Sequence, residues 1–373
     1  MTALIDSSPC PSPSWLPGGH LQTLYGALFA TTNRVRFVRE RIETPDGDFL
    51  DFDWSAPGIA TNPLKAPTQQ DGLPKFSAAE RWINDQDRQT IAGLEETPAL
   101  ILLHGLEGSS TSRYAQSIMQ YFRARGWLVV IAHFRGCSGV PNRLARAYYS
   151  GDSEEVGFIL NAAQVRSPRA HWHVAGVSLG GNALLKYLGE HAEQTSNIQA
   201  AVSVSAPLDL VAAGNRLSQD WVCRQLYTRH FLRTMRPKTL EKASQFPGAI
   251  DVTRLSRAQT LRDFDDAYTA PMHGFADAQE YWEKASSKPW LPYIKTPTLI
   301  INARNDPFIP EPSLPGASDA SDQVTLHQPA QGGHVGFTTG RFPGHLNWLP
   351  ARLARFFQSI DQGNASSSPT ETL

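Results

Sequence analysis

The chain has 373 residues, and its 34 Lys and Arg residues almost balance its 35 Asp and Glu residues, for a formal charge of −1. This balance gives no electrostatic basis for binding nucleic acid, and a hydrophobic content of 41% excludes a wholly disordered chain. The cysteines are odd in number and widely spaced, so the sequence predicts neither a disulfide framework nor a CxxC metal or redox site. They are Cys10, Cys137 and Cys223.

Residues 1–33 form a predicted N-terminal extension, rich in Pro, Ser and Gly, that carries a GGHLQT segment. The extension contains neither the basic nor the apolar segment of a secretory signal. The longest apolar runs of the chain fall far short of the roughly 18 residues that a membrane span requires. The sequence therefore predicts a cytoplasmic protein without a transmembrane segment.

Strand-like and helical patterns alternate along most of the chain. The first two strand-like runs alternate apolar with polar residues around Pro45-Asp46-Gly47, which predicts a hairpin. The later runs are almost continuously apolar, as expected for strands covered on both faces of a parallel sheet. The sequence therefore predicts an α/β fold with a mostly parallel, doubly wound sheet and an antiparallel start. The predicted strands are 34–42, 48–54, 98–104, 127–134, 171–177, 199–205, 297–302 and 323–328, and helices are predicted over 112–125, 151–165 and 182–193.

Two longer stretches interrupt this alternation. Residues 56–96 are polar and rich in Pro and Gln, and are predicted to be a partly flexible insertion. Residues 207–290 contain no convincing strand but many aromatic residues at helical spacing, which predicts a helical cap over the sheet. The α/β core then comprises residues 34–206 and 291–358, and residues 359–373 are predicted to be a disordered tail.

A Gly-x-Ser-x-Gly pattern at Gly176–Gly180 follows a predicted strand and precedes a helical pattern. A strand–turn–helix of this kind exposes the central serine at a strained tip, next to the backbone N–H groups of a helix N-terminus. Ser178 is therefore the candidate nucleophile. A second Gly-rich turn, His104–Gly108, follows another strand, and there the backbone N–H of Leu106 is expected to form an oxyanion hole with that of Leu179.

An acid and a histidine are expected after the serine in chain order. Asp306 lies just past a predicted strand, where its carboxylate reaches the carboxyl edge of the sheet, and Asp209 is the rival acid. His334 lies in a Gly-lined loop beyond the last predicted strand, whereas His327 falls within a strand and His345 lies near the final helix. We therefore expect Asp306 to orient His334, and His334 to act as the base for the serine.

Metal and cofactor motifs are weak in this sequence. His171 and His173 share one face of a strand, but no third metal ligand lies near them in the chain. The sequence has no HExxH, GxxxxGK or GxGxxG motif, which argues against a metalloprotease, an NTPase or a dinucleotide-binding protein. Because nucleophile, base and electrophile are all protein groups, the sequence predicts neither a cofactor nor a metal.

Several segments of the chain resemble the α/β-hydrolase superfamily and, within it, the YheT-like branch. The resemblance spans roughly residues 15–357 and rests on Pro17–Thr23, His104–Gly108, Phe134–Gly139, Gly176–Asn182, Asp263–Asp265, Ala303–Pro307 and Gly333–Phe337. It implies an α/β-hydrolase fold with an inserted cap, and a serine hydrolase of carboxylic esters, often lipid-like, with Ser178, Asp306 and His334 as its triad. For His20 and Arg135, packing, loop anchoring and substrate contact all stay open.

Two further functions are compatible with the same residues. An acyl-enzyme on Ser178 would also serve an acyltransferase or a thioesterase, because the pocket selects the leaving group and the acceptor. A non-catalytic binding protein that reuses the fold is the alternative from another class. The order serine, acid, histidine argues against this second alternative.

The predicted cap combines aromatic with basic residues. Its aromatic residues predict an apolar pocket for short or medium acyl chains, unless they only fill the cap's own core. Its basic cluster indicates either a solvated helix face or a surface for anionic lipid. The expected partner is a small-molecule ester or lipid, with peripheral membrane contact through the cap. The aromatic residues are Trp221, Tyr227, Phe231, Phe246, Phe264, Tyr268, Phe275, Tyr281, Trp282 and Trp290; the basic residues are Arg216, Arg224, Arg229, Arg233, Arg236 and Lys238.

Overall fold

A single sheet organises the chain. The computed structural model describes residues 2–32, 34–61, 73–74 and 77–367. Ten strands within these ranges make up the sheet: β1 (Leu4–Asp6), β2 (Phe37–Glu43), β3 (Phe49–Ser55), β4 (Ala79–Trp82), β5 (Pro98–Leu103), β6 (Leu128–Ala132), β7 (His171–Val177), β8 (Ile198–Val204), β9 (Thr298–Ile301) and β10 (Val324–His327). Their order across the sheet is β1-β10-β9-β8-β7-β5-β6-β3-β2-β4.

Strand directions in this sheet agree with the sequence prediction. Seven neighbouring strands of this order are parallel to one another: β1, β10, β9, β8, β7, β5 and β6. Strand β3 is antiparallel to both β6 and β2, and β4 pairs parallel with β2. The turn between β2 and β3 contains Asp46 and Gly47, and Thr44 N donates to Asp48 O across it. The predicted mostly parallel sheet with an antiparallel start is therefore confirmed.

Helices cover both faces of the sheet. The helical residues Ile159 and Leu184 belong to the buried cluster on one face, and the helical residues Phe122 and Phe357 belong to the cluster on the other. This two-sided cover explains why the parallel strands are continuously apolar. The helices are α1 (Gly19–Leu28), α2 (Asp85–Ala92), α3 (Arg113–Arg123), α4 (Ser153–Arg166), α5 (Leu179–Glu190), α6 (Leu210–Gln219), α7 (Trp221–Cys223), α8 (Arg229–Gln245), α9 (Val252–Arg257), α10 (Leu261–Phe264), α11 (Ala270–Met272), α12 (Ala278–Ala285) and α13 (Trp348–Ser367).

The segment 207–290 is helical from α6 to α12, and it includes two π-helical turns, Arg224–Thr228 and Asp265–Thr269. It has a buried cluster of its own, in which Tyr227 and Phe264 pack with Phe308 from the core. Short 3-10 helices occur at Ala192–Gln194, Lys288–Tyr293, Glu311–Ser313 and Ala317–Asp319. The cap therefore has its own core and is also joined to the sheet.

The predicted N-terminal extension contains two elements that the sequence did not reveal. Strand β1 pairs with β10 at the edge of the sheet, and α1 covers the GGHLQT segment. A strand of only three residues has too short a pattern to be recognised by alternation.

The insertion 56–96, predicted to be partly flexible, contains two ordered elements in its second half, β4 and α2, which the sequence analysis did not anticipate. Asn84 and Asp87 cap the start of α2 reciprocally, and Ile91 is buried in the core. Both features hold this part of the insertion to the sheet edge. The rest of this prediction falls partly on residues 62–72 and 75–76, which lie outside the described residues.

The prediction of a disordered tail is wrong up to Ser367, because α13 continues to that residue. Ile360 packs against the core, and Asp361 Oδ1 lies 3.0 Å from Nε2 of the buried His173. These contacts hold the end of the helix, and backbone hydrogen bonds propagate it further. Residues 368–373 lie outside the described residues.

Candidate active site

Ser178 occupies a sharp turn between β7 and α5. Its backbone has φ 52° and ψ −118°, a conformation that costs a non-glycine residue about 1–3 kcal/mol. Its N–H donates to Val204 O at 2.8 Å, which ties the turn to β8. A Cβ added at Gly180 would lie 2.5 Å from His104 O, so only glycine fits where the new helix passes the end of β5. The turn is therefore held in its strained form from two sides.

A chain of hydrogen bonds connects Ser178 with His334 and Asp306. Ser178 Oγ lies 3.0 Å from His334 Nε2, and His334 Nδ1 lies 2.7 Å from Asp306 Oδ2. The other carboxylate oxygen, Oδ1, accepts from the backbone N–H of Phe308 at 2.8 Å. The Phe308 ring stacks on the imidazole with 4.1 Å between centroids. The Asp306 side chain is fully buried and that of His334 is 9% exposed, so these contacts are shielded from water.

The rival residues lie outside this hydrogen-bonded chain. The Asp209 carboxylate accepts from Ala212 N at 2.9 Å and caps α6. His327 is buried in β10 with Nε2 2.8 Å from Ser8 O, and His345 Nδ1 lies 3.3 Å from the hydroxyl of Thr339. Each rival thus has a local structural partner.

The two expected oxyanion donors lie beside Ser178. A Cβ added at Gly105 would lie 3.1 Å from Ser178 Cβ, which shows how closely the turn after β5 approaches the serine. Leu106 follows in this turn, and Leu179 is the first residue of α5, where the helix dipole favours negative charge. Within the described chain, neither of these two N–H groups donates to a protein acceptor.

Helix α1 supports both loops that carry the acid and the histidine, a role that sequence reasoning missed. Thr23 Oγ1 accepts from His334 N at 2.8 Å and donates to Gly19 O at 2.7 Å. Gln22 Oε1 accepts from Gly332 N and from Asn305 Nδ2, each at 2.9 Å. The bonds from α1 to the two loops join positions 283 to 311 residues apart.

Glycines allow α1 to approach these loops at backbone distance. A Cβ at Gly19 would overlap the carbonyl oxygen of Asn305, and one at Gly336 would lie 2.5 Å from Gln22 O. In the sequence, the glycines and the glutamine of the GGHLQT segment were the only indication of this supporting role. Only the folded arrangement reveals what they contact.

Arg135 and His20 have structural partners. Arg135 Nε donates to Glu155 Oε2 at 2.5 Å, and its Nη1 lies 3.0 Å from carboxylates of both Asp46 and Asp48. Of the readings left open for Arg135, this geometry favours loop anchoring. His20 Nδ1 lies 3.0 Å from the hydroxyl of Tyr227, so His20 joins α1 to the cap.

Two cavities lie under the cap, and the smaller of them adjoins the serine. The smaller is about 110 Å³ and is lined by Ser178 and His334 together with apolar cap residues; the larger is about 360 Å³ and extends towards Arg135. Half of the cap's ten aromatic residues line one cavity or the other: Phe231, Phe264, Tyr268, Tyr281 and Trp282. Five residues line both cavities: Leu106, Leu179, Met235, Asp265 and Tyr281.

The two histidines considered for metal binding are engaged elsewhere. His171 Nε2 lies 2.8 Å from Glu96 Oε2, and His173 contacts Asp361 as described above. Across the described ranges, no group of three or more His, Cys, Asp or Glu side chains is arranged to hold a metal ion.

Comparison with known proteins shows the family to which the chain belongs. A family model described as alpha/beta hydrolase fold matches residues 98–340. The Escherichia coli (strain K12) protein YheT is 34% identical over 90% of this chain and 88% of its own. The chain belongs to the α/β-hydrolase superfamily, in its YheT-like branch.

Two yeast members of this superfamily also match most of the chain. The Saccharomyces cerevisiae monoacylglycerol lipase is 29% identical over 92% of this chain and 79% of its own. Medium-chain fatty acid ethyl ester synthase/esterase 2 of the same organism is 28% identical over 92% of this chain and 84% of its own. These relatives support a hydrolase.

In the part of the chain that the structure describes, no helix is both long and apolar enough to cross a bilayer.

Thr23 provides a test of the support that α1 gives to the histidine loop. Thr23→Val removes the acceptor of His334 N–H and should shift the imidazole, lowering kcat for hydrolysis about 10- to 100-fold. Thr23→Ser keeps the hydroxyl and should retain most of the activity. The measurement is the steady-state kinetics of the two variants, compared once their melting temperatures show that they are equally stable. Equal kcat in the two variants would show that the hydrogen bond does not position the loop.

Proposed function

We propose that the protein is a serine hydrolase that cleaves carboxylic esters through an acyl-enzyme. The observation that carries this proposal is the unbroken chain of hydrogen bonds from Asp306 through His334 to Ser178, with the serine at the tip of a strained turn. A buried acid, a shielded imidazole and a hydroxyl that lines a cavity, in this order, are the arrangement that nucleophilic acyl transfer requires.

In the proposed first half-reaction, His334 Nε2 takes the proton of Ser178 as Oγ attacks the ester carbonyl. Negative charge then develops on the carbonyl oxygen, and the N–H groups of Leu106 and Leu179 stabilise it. Collapse of the tetrahedral intermediate breaks the bond to the alcohol oxygen, and the imidazolium protonates the departing alcohol. Water, activated in the same way, then releases the carboxylic acid and regenerates the serine.

Asp306 has a positioning and an electrostatic part in this proposal. Its Oδ2 accepts from Nδ1–H of His334, which fixes the tautomer that leaves Nε2 free to accept a proton. The carboxylate then stabilises the imidazolium in a region that water does not reach. The hydrogen bond from Phe308 N keeps the carboxylate in the required orientation.

The proposed substrates are esters with short or medium acyl chains, or lipid-like esters. Apolar side chains such as Leu210, Leu217 and Leu261 form most of the smaller cavity, beside the serine. The names of the yeast relatives, a monoacylglycerol lipase and a medium-chain ethyl ester synthase/esterase, point to the same class.

Acyl transfer to an alcohol is the second candidate function. The synthase activity in the name of one yeast relative favours it, because an alcohol there takes the place of water. Product analysis with added ethanol distinguishes the two: ethyl ester formation indicates transfer, and free acid alone indicates hydrolysis.

The proposed triad predicts a specific pattern of inactivation. Ser178→Ala and His334→Ala should each lower kcat/KM by about 10⁴-fold or more, and Ser178→Ala should abolish labelling by a fluorophosphonate. Asp306→Asn should cost a comparable factor because the imidazole tautomer is lost. Asp209→Asn is the matched control, since Asn still caps α6. Full activity of Asp306→Asn would contradict the proposal, as would inhibition by a metal chelator.

The cavities predict how rate depends on acyl length. Each methylene buried against the apolar walls should raise kcat/KM about fourfold, from acetyl esters upward, until the space is filled. Met235 lines both cavities, so Met235→Ala should move the optimum to longer chains, whereas the volume-conserving Met235→Leu should not. A steady fall in kcat/KM from acetyl esters upward would show that the cavities do not hold the acyl chain.

We also propose peripheral contact of the cap with anionic lipid. Trp221 is 67% exposed and Leu226 is 41% exposed, although both are large and apolar. Arg224, Arg229 and Arg233 lie in the same helical stretch, and none of them forms an ion pair within the described chain. Exposed apolar side chains beside unpaired cations suit the surface of an anionic bilayer.

Vesicle co-sedimentation tests this contact. The protein should bind anionic vesicles several-fold better than neutral ones at low salt, and Trp221→Ala should weaken the binding. Val165→Ala is the control, because Val165 is 62% exposed on α4, away from the basic stretch. Binding that is indifferent to lipid charge and to salt would contradict the proposal.

A further inference from the structure

Asp265 is a carboxylate at the junction of the two cavities that the proposed mechanism does not use. It opens the π-helical turn that follows α10, and it lines both the smaller cavity beside Ser178 and the larger one. Among the described residues that line the smaller cavity, it is the only acidic one. Protein surrounds Asp265 on its other sides, yet part of its surface stays accessible from the cavities.

The partners of Asp265 leave its charge unpaired. Trp282 Nε1 donates to Oδ2 at 2.9 Å, but the described chain offers Asp265 no ion pair. Arg262, one turn earlier, donates to Asn215 and Gln279 and forms no ion pair with Asp265, although its charge is near enough to lower the pKa of that carboxyl. Burial raises the pKa of Asp265 to about 6, against the hydrogen bonds from Thr269 and Trp282.

A buried carboxylate without a cation destabilises the fold, and an apolar residue would fill the site at lower cost. Such groups concentrate where they meet a ligand. Most of the neighbouring cavity wall is apolar, with Leu210, Leu217 and Leu261 on the cap side. A polar group of the substrate that reaches this wall would find a strong acceptor in Asp265.

The residues that line the two cavities indicate which kind of substrate group Asp265 would bind. The larger cavity is lined by three cationic side chains and three carboxylates, so it gives no net attraction for a cationic ligand group, and the mostly apolar wall of the smaller cavity disfavours burying one. A hydroxyl is neutral, and it donates the hydrogen bond that a carboxylate accepts. The departing alcohol must lie next to His334, which lines the smaller cavity together with Asp265.

We propose that Asp265 is a specificity-determining residue that accepts a hydrogen bond from a free hydroxyl on the alcohol part of the ester, so that esters of polyols are preferred over esters of plain alkanols. This inference rests on the proposed ester hydrolysis and names the alcohol class that the site takes. The carboxylate makes this contact in the substrate complex and takes no part in proton transfer.

The test compares glyceryl monobutyrate with propyl butyrate, which share the acyl group and the three-carbon alcohol and differ by two hydroxyls. The wild type should prefer the glyceryl ester in kcat/KM. Asp265→Leu should lower this preference about tenfold or more, and Asp265→Asn should lower it in part. If Asp265→Leu does not fold, Asp265→Asn carries the test.

Two controls separate substrate contact from a structural role. Asp263→Asn changes an exposed carboxylate two residues away and should keep the preference. Asp266→Asn changes another carboxylate of the same π-helical turn, one that lines neither cavity and accepts from Ala278 N, and it should also keep the preference. If the Asp265 variants affect both esters alike, the residue is structural and the inference is wrong.

The remaining outcomes are equally decisive. A wild type that shows no preference between the two esters overturns the inference. A preference for propyl 3-hydroxybutyrate over propyl butyrate that depends on Asp265 also overturns it, because the hydroxyl would then lie on the acyl side. If the wild type hydrolyses no ester and resists fluorophosphonate labelling, the proposed function itself fails. If the wild type hydrolyses esters and is labelled by the fluorophosphonate, but the Asp265 substitutions do not change the preference, this inference is wrong and the proposed function stands.

Discussion

The strained backbone of Ser178 is the constraint on which the site depends. A φ of 52° is unfavourable for serine, and it persists because β8 holds the turn through Val204 and because Gly180 lets α5 begin against the end of β5. The same turn places Oγ within hydrogen-bond distance of His334 and starts the helix whose first N–H group belongs to Leu179. One local distortion thus sets the positions of two groups that the proposed chemistry needs.

The cap is tied to this turn by buried polar contacts. Asn182, on the first turn of α5, donates to Ser150 O and to Ala285 O, both at 2.8 Å, and accepts from Ser287 N at 3.0 Å. Because Asn182 is fully buried, breaking this network would leave several polar groups without partners, at about 1–3 kcal/mol each. The cap therefore shares its attachment with the helix that carries the nucleophile. A second link, between Glu107 and Lys238 at 2.8 Å, joins the turn containing Leu106 to α8.

Much of the fold and the residues of the hydrogen-bonded chain could be predicted because their signals are local. The strand before Ser178, the helix after it, and loops with Asp306 and His334 beyond later strands are each readable in a few residues. The contacts of Gln22 and Thr23 could not be predicted, since they join residues about 300 positions apart. Strand β1 is too short to show a pattern, and the end of α13 is held by tertiary contacts rather than by its composition.

The position of α1 has a consequence for dividing this protein into parts. The family match covers residues 98–340 and contains Ser178, Asp306 and His334, yet α1 lies outside it. A fragment cut at those limits would keep every group of the hydrogen-bonded chain but lose the partners of Gly332 N and His334 N, together with β2, β3 and α13. The smallest unit that preserves the site is therefore set by its supporting contacts, and it reaches far beyond the segment that the superfamily shares.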